Sequence, residues 1–136
     1  MQNKAGKSRE IEGNRLLQGA VEILTKRFDE EYGGFGAGMK FPEPMHYTFL
    51  LRYWAETGDE ETLHILDKSL TKMAEGGLFD QLGGGFHRYS TDRLWRVPHF
   101  EKMLYDNALM PVNYCEAYQI TKDPFYLDVL QKTLDF

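Results

Sequence analysis

Apolar residues along most of the chain recur at helical spacing. Leu17, Val21, Leu24 and Phe28 lie four, three and four apart, which predicts an amphipathic helix from about residue 9 to residue 28. The stretch that follows, DEEYGGFGAGMKFPEP, holds four glycines and two prolines and reads as a loop. Pro44 suits a first helical position, and a second helix is expected from there to about residue 57. Its Met45, Phe49, Leu50, Tyr53 and Trp54 cover more than one face, the mark of an interior helix. Asp59 is placed to cap a third helix, with Glu60 and Glu61 in its first turn. There Leu63, Leu66, Leu70 and Met73 form a single stripe, so this helix lies outside, and Gly76-Gly77 ends it. Pro98 is expected to open a fourth helix reaching about residue 120. Met103, Leu104, Tyr105, Ala108, Leu109 and Met110 leave that helix little polar surface, and Pro111 inside it predicts a kink or a break. Asp123 and Pro124 start a fifth, with Tyr126, Leu130 and Leu134 on one stripe.

One order of elements occurs twice: long glycine-rich loop, inner helix, short turn, outer helix. Tyr32-Gly33-Gly34-Phe35 precedes the first inner helix and Gly83-Gly84-Gly85-Phe86 the second. Thr57-Gly58-Asp59 and Thr121-Lys122-Asp123 are the matching turns. Repeated helical hairpins bury their faces on one another. The fold expected is all-α, with antiparallel helical hairpins forming part of an α/α toroid (a six-hairpin barrel). Both long loops should then open at one end, over one cavity. At ~10–14 residues per helix, five helices cannot close such a ring. Residues 9–136 are therefore expected to be a fragment of the toroid domain, with residues 1–8 a linker. Open barrel walls predict self-association.

Composition narrows the class. A net charge of −5 with no basic patch argues against nucleic acid as a partner. No run of 18 apolar residues occurs, so no membrane span is expected. The lone Cys115 excludes an internal disulfide, is read as an inert packing residue, and points to the cytoplasm. CxxC, HExxH and GxxxxGK[ST] motifs are all missing, and His87 and His99 lack the spacing of a helical metal pair. Neither a metal nor another cofactor is expected.

The stretch from Gly76 to Asn107, GGLFDQLGGGFHRYSTDRLWRVPHFEKMLYDN, concentrates the chemistry. It has five glycines in its first ten residues but is too apolar for disorder, so an ordered, pocket-forming loop is expected. Together with YGGFGAGMKFP it resembles the thioredoxin-domain-containing family related to spermatogenesis-associated protein twenty. The resemblance runs from about Phe28 to the end. It implies a thioredoxin-like domain elsewhere, absent from these residues, followed by a six-hairpin α/α toroid similar to N-acylglucosamine 2-epimerases and six-hairpin glycoside hydrolases. The family pattern lacks a proline at position 111.

The resemblance implies a carbohydrate-processing barrel, epimerase-like or hydrolase-like, with a sugar or sugar-derived small molecule as ligand, and a barrel missing over half its wall is expected to be inactive as a fragment. Epimerisation needs groups that take a proton from carbon beside a carbonyl and return it on the other face. His87 and His99 suit that task, and His99 in a first helical turn would be kept neutral by the dipole. Glu101 and Asp106 are the candidate carboxylates. Arg88 and Arg96 are placed to grip an anionic group, with Tyr89, Trp95, Tyr105 and Phe35 as rings or hydroxyls at a substrate. Phe86 and Tyr32 belong to the same aromatic set. Bland readings stand beside these: histidines bonding loop backbone, Glu101 and Asp106 paired with arginines or neighbouring helices, rings filling core, Lys40 and His64 solvated. Whether the chain is enzymatic stays open at this level, the alternative being a non-catalytic interaction domain coupled to a thioredoxin-like module.

Overall fold

The computed structural model describes residues 4–136, with side chains from residue 12 onward. Five helices account for most of it: α1 (Lys4–Arg27), α2 (Pro44–Thr57), α3 (Glu60–Glu75), α4 (Leu104–Thr121) and α5 (Pro124–Asp135). Two short strands, β1 (Tyr89–Ser90) and β2 (Pro98–His99), pair antiparallel inside the second long loop. Of the expected linker, residues 1–3 lie outside the described residues and 4–8 are already helical.

Local chemistry fixes the hairpins. The Asp59 carboxylate accepts from Thr62 N at 2.8 Å and the Asp123 carboxylate from Phe125 N at 2.9 Å, capping the two outer helices. The inner helices end alike, Gly58 at φ 67° and Lys122 at φ 59°, each donating its N–H back to a carbonyl of the last turn. The inner helices α2 and α4 pack side by side. Asn113 Nδ2 donates to the Pro44 carbonyl at 2.9 Å, and further along Arg52 pairs with Glu116. Against them α3 lays Ile65, Leu66, Leu70 and Met73, all buried. The Tyr114 hydroxyl reaches the Leu70 carbonyl at 2.6 Å, and Tyr126 on α5 reaches Asp67 at 2.6 Å. Each such apolar side chain contributes about 1.5–3 kcal/mol by leaving water, and each of these two buried tyrosines keeps a partner for its hydroxyl.

Two expectations about the fourth helix fail. The fourth helix begins at Leu104, not Pro98, because the preceding backbone is committed to a hairpin: Arg88 N donates to Glu101 O at 2.6 Å and Thr91 N to Val97 O at 2.8 Å. His99 is consequently a strand residue, and the argument that a helix dipole keeps it neutral falls away. Pro111 does not break α4, which runs continuously through it. Pro111 forgoes one backbone bond, and the burial of Met110, Asn113 and Tyr114 around it holds the helix together.

The two long loops meet at one end, as the toroid pattern requires. Lys40 and Ser90 exchange backbone bonds at 3.0 and 2.7 Å, adding a third edge to the hairpin. Trp95 drives its ring under Gly34 and donates Nε1 to the Tyr32 carbonyl at 2.9 Å. Below this contact the Asp29 carboxylate accepts from Lys40 Nζ (2.6 Å), Arg93 Nε (2.7 Å) and Arg93 Nη2 (2.8 Å), and from the amides of Glu31 and Tyr32. Lys40, read from sequence as solvated, is fully buried there. No described helix is long and apolar enough to cross a membrane.

Candidate functional site

The β1–β2 hairpin is held rigid from behind. Asp92 folds its turn by accepting from the amides of Leu94, Arg96 and Val97, and Ser90 is fully buried at its centre. Tyr89 lies opposite His99 in the register, and their rings stack at 4.8 Å with an interplanar angle of 14°. Phe41 of the first loop also packs on Tyr89, tilted, at 5.0 Å. The ladder then continues to Arg88 and Glu101, so four polar residues arrive together.

At its centre, Arg88 Nη1 donates to Glu101 Oε2 at 3.2 Å, and His99 Nδ1 lies 3.7 Å from the same oxygen. All three side chains are partly open to solvent. Several polar atoms here lack partners: Arg88 Nε, His99 Nδ1 and, two residues before Tyr89, His87 Nδ1 are buried with no hydrogen bond among the described residues. His87 is buried edge-on to Phe100 at 5.4 Å, and burial, aided by the charge of Lys102, lowers its pKa from the ordinary imidazole value. Asp106, in the first turn of α4, is buried too. Desolvation pushes its carboxyl up to about 6, with the Arg88 charge opposing the rise. Orphaned buried polar groups of this kind mark strain reservoirs or functional positions.

Other expected site residues are elsewhere. Trp95 and Phe35 are core residues, 1% and 4% exposed, so neither ring meets a ligand at the mouth. Both are enclosed because the loops pack on each other: Trp95 fills the space over Gly34, and Phe35 stacks on Tyr47 at 5.6 Å. Phe86 is likewise enclosed, and the Tyr32 ring serves as a platform for the Arg93 guanidinium at 4.9 Å. Arg96 is exposed on the turn, bonded through its backbone to Asp92. Tyr105 stands exposed at the start of α4, as do Leu104 beside it and Val97 and Phe100 just before it in the chain. His64 pairs with Glu30 on the surface, and Cys115 is half-buried. Sequence reasoning missed Phe41 as a neighbour of Tyr89 and missed Asp29, Lys40 and Arg93 as the clamp. The recurrence of Phe-Asp-x-x-x-Gly-Gly-Phe at residues 28–35 and 79–86 was the available signal for the clamp. Among the described residues no group of three or more His, Cys, Asp or Glu is arranged to hold a metal ion.

No family profile matches the chain. It is 46% identical over 121 residues to spermatogenesis-associated protein 20 of Rattus norvegicus and of Homo sapiens, covering 83% of this chain and 15% of each relative. In Caenorhabditis elegans, the uncharacterized protein B0495.5 is 40% identical over 99 residues. Among solved structures, cellobiose 2-epimerase from Spirochaeta thermophila aligns with a TM-score of 0.77 at 16% identity, over 99% of this chain and 37% of its own. A sugar epimerase from a ruminal bacterium aligns with 0.73 at 17% identity, over 85% and 33%. Likeness at such low identity establishes fold alone. The chain is thus a homologue, over 83% of its length, of proteins named spermatogenesis-associated protein 20, spans about 15% of the length of those relatives, and is folded as part of an α/α toroid.

Proposed function

We propose that these residues form part of the mouth of a toroid that binds a sugar or sugar-derived molecule and moves a proton beside its carbonyl. The observation that carries this reading is the hairpin cluster: Arg88 and His99 drawn to one oxygen of Glu101, with the Arg88 charge also acting on buried Asp106. In this reading His99, oriented by Glu101 and the Tyr89 ring, takes the proton. Arg88 stabilises the negative charge that develops on the carbonyl oxygen. Asp106, buried with a pKa near 6, is populated in both protonation states near neutrality and is the candidate to resupply a proton from behind the site, by relay and without touching the ligand. His87 stays neutral behind Phe100 and holds the floor of the site. A cytoplasmic setting fits the single free thiol. The isolated chain is expected to be inactive, because a partial ring does not preorganise the whole site.

The exposed apolar side chains of Val97, Phe100, Leu104 and Tyr105 favour a second reading, a non-catalytic face that docks a partner such as a thioredoxin-like module. One experiment separates the two. A panel of reducing sugars is incubated with the full-length protein in deuterated water, and exchange at the carbon beside the carbonyl is followed by NMR. Exchange with at least one sugar, lost in His99→Ala and in Asp106→Asn, supports the catalytic reading. No exchange with any sugar, together with thioredoxin-like module binding that Phe100→Ala abolishes, supports the docking one.

A further inference from the structure

The two Phe-Asp-x-x-x-Gly-Gly-Phe turns are bonded alike. Asp29 N donates to Gly34 O and Asp80 N to Gly85 O, both at 2.9 Å; Gly33 N returns to Asp29 O and Gly84 N to Asp80 O. Each turn buries a lysine head in the same way. Lys40 Nζ bonds Asp29 and the Gly33 carbonyl, and Lys102 Nζ bonds Asp80 (2.8 Å) and the Gly84 carbonyl (2.7 Å). A ring covers each lysine: Trp95 at 5.3 Å from Lys40 and Phe136 at 4.0 Å from Lys102. Two amides bond each carboxylate, from Glu31 and Tyr32 in the first turn and from Leu82 and Gly83 in the second.

One component differs. Asp29 also receives a two-pronged guanidinium, Arg93 Nε and Nη2 on its two oxygens, delivered by the long loop of the next hairpin. Nothing among the described residues plays that part at Asp80, whose side chain is 27% exposed where that of Asp29 is 2%. Its carboxylate is held well below the usual range by the Gly83 amide, Lys102 and the Leu82 amide, and so is fully charged at neutral pH.

We propose that the open edge of Asp80 is a docking socket for an arginine carried on the long loop of a following helical hairpin, in the longer protein of which these residues are part. Charge selects a cation, and two carboxylate oxygens each short of one donor select the fork of a guanidinium over the single point of an ammonium. The relatives supply the length: this chain spans 15% of them, and 37% of an epimerase that shares its fold. The socket is independent of any chemistry at the mouth.

Carbodiimide-driven amide labelling of carboxylates, read by mass spectrometry, tests it on this chain and on the full-length gene product. The expected result is that Asp80 labels in the short chain and at least tenfold less in the full-length protein, while Asp29 stays unlabelled in both. Asp80→Asn should lower the unfolding midpoint of the full-length protein several-fold more than that of the short chain. Equal labelling of Asp80 at both lengths would overturn the socket, as would equal midpoint shifts. Protection that appears in the short chain as its concentration rises would assign the site to a second copy instead, and would overturn the proposal equally. Where the full-length variant does not fold, labelling of the unaltered protein alone decides.

Discussion

Asp29 and Asp106 are both buried aspartates at the loop end of the same molecule, and they are treated in opposite ways. Burial would raise the Asp29 carboxyl, but Arg93, Lys40 and two backbone amides outweigh it and hold it far below the usual carboxylate range. Asp106 is desolvated with only the Arg88 charge to oppose the rise, and its pKa goes up. The first site is saturated with donors and the second is starved of them. A fold that completes one buried carboxylate and leaves another unmet has a seal at Asp29 and a titrating group at Asp106.

The largest effect expected from this contrast is at the seal. Lys40→Met removes a fully buried ammonium from a carboxylate that is itself 2% exposed, and losing one partner of a buried pair costs about 3–5 kcal/mol. Arg93 remains on Asp29, so the lower end of that range is expected in urea unfolding at pH 7. Lys102→Met, at the more open Asp80, should cost about 1 kcal/mol. Equal losses would mean that burial is not what separates the two lysines. The acid limb carries the same sign. The folded pKa of Asp29 lies below its unfolded value, so its contribution is present above about pH 4 and is lost as pH falls further.

Asp106 should behave in reverse, with a smaller magnitude. Its folded pKa of about 6 is above the unfolded value, so folding is favoured below about pH 4 and stability drains away as pH rises through 6. Asp106→Asn removes that loss. After allowance for solvent screening it should stabilise the protein at pH 7.5 by on the order of 1–2 kcal/mol, with little effect at pH 4. Unfolding midpoints measured at both pH values check it. A variant that destabilises equally at both would mean that the Asp106 carboxyl is satisfied after all.

The sequence showed much of this frame and little of the contrast. Helical periodicity, the Asp59 and Asp123 caps and the repeated loop–helix–turn–helix order were legible, because each depends on residues near in sequence. The α4 start was misplaced because Pro98 fits a strand edge as well as a first helical turn, and only Arg88 and Glu101, thirteen residues apart, decide between them. Trp95 and Lys40 were misjudged for a similar reason. An aromatic ring and a lysine in glycine-rich loops look exposed until the two loops close on each other: Trp95 bonds Tyr32, 63 positions away, and Lys40 bonds an Asp29 that Arg93 also grips from 64 positions away. The mouth cluster was partly legible: His99, Glu101, Arg88 and Tyr89 were named, but their shared register required strand pairing that two-residue strands do not advertise.

Glu101→Gln has the smallest expected effect on stability and gives the finest test of the comparison. Glu101 holds Arg88 at 3.2 Å with both side chains about half exposed, and His99 stands just outside hydrogen-bond range of it. A surface pair of that kind contributes about 0–1 kcal/mol, so the unfolding midpoint should barely move. If His99 is the base proposed above, catalysis should respond out of proportion, because it would lose the neighbouring carboxylate while the fold loses almost nothing. In the full-length protein, any sugar exchange that depends on His99 should fall at least tenfold in Glu101→Gln, a drop measured against a midpoint change within about 0.5 kcal/mol. A loss of 2 kcal/mol or more in stability would place Glu101 beside Asp29 among the bonds that hold the loops together, and the division between seal and mouth would dissolve.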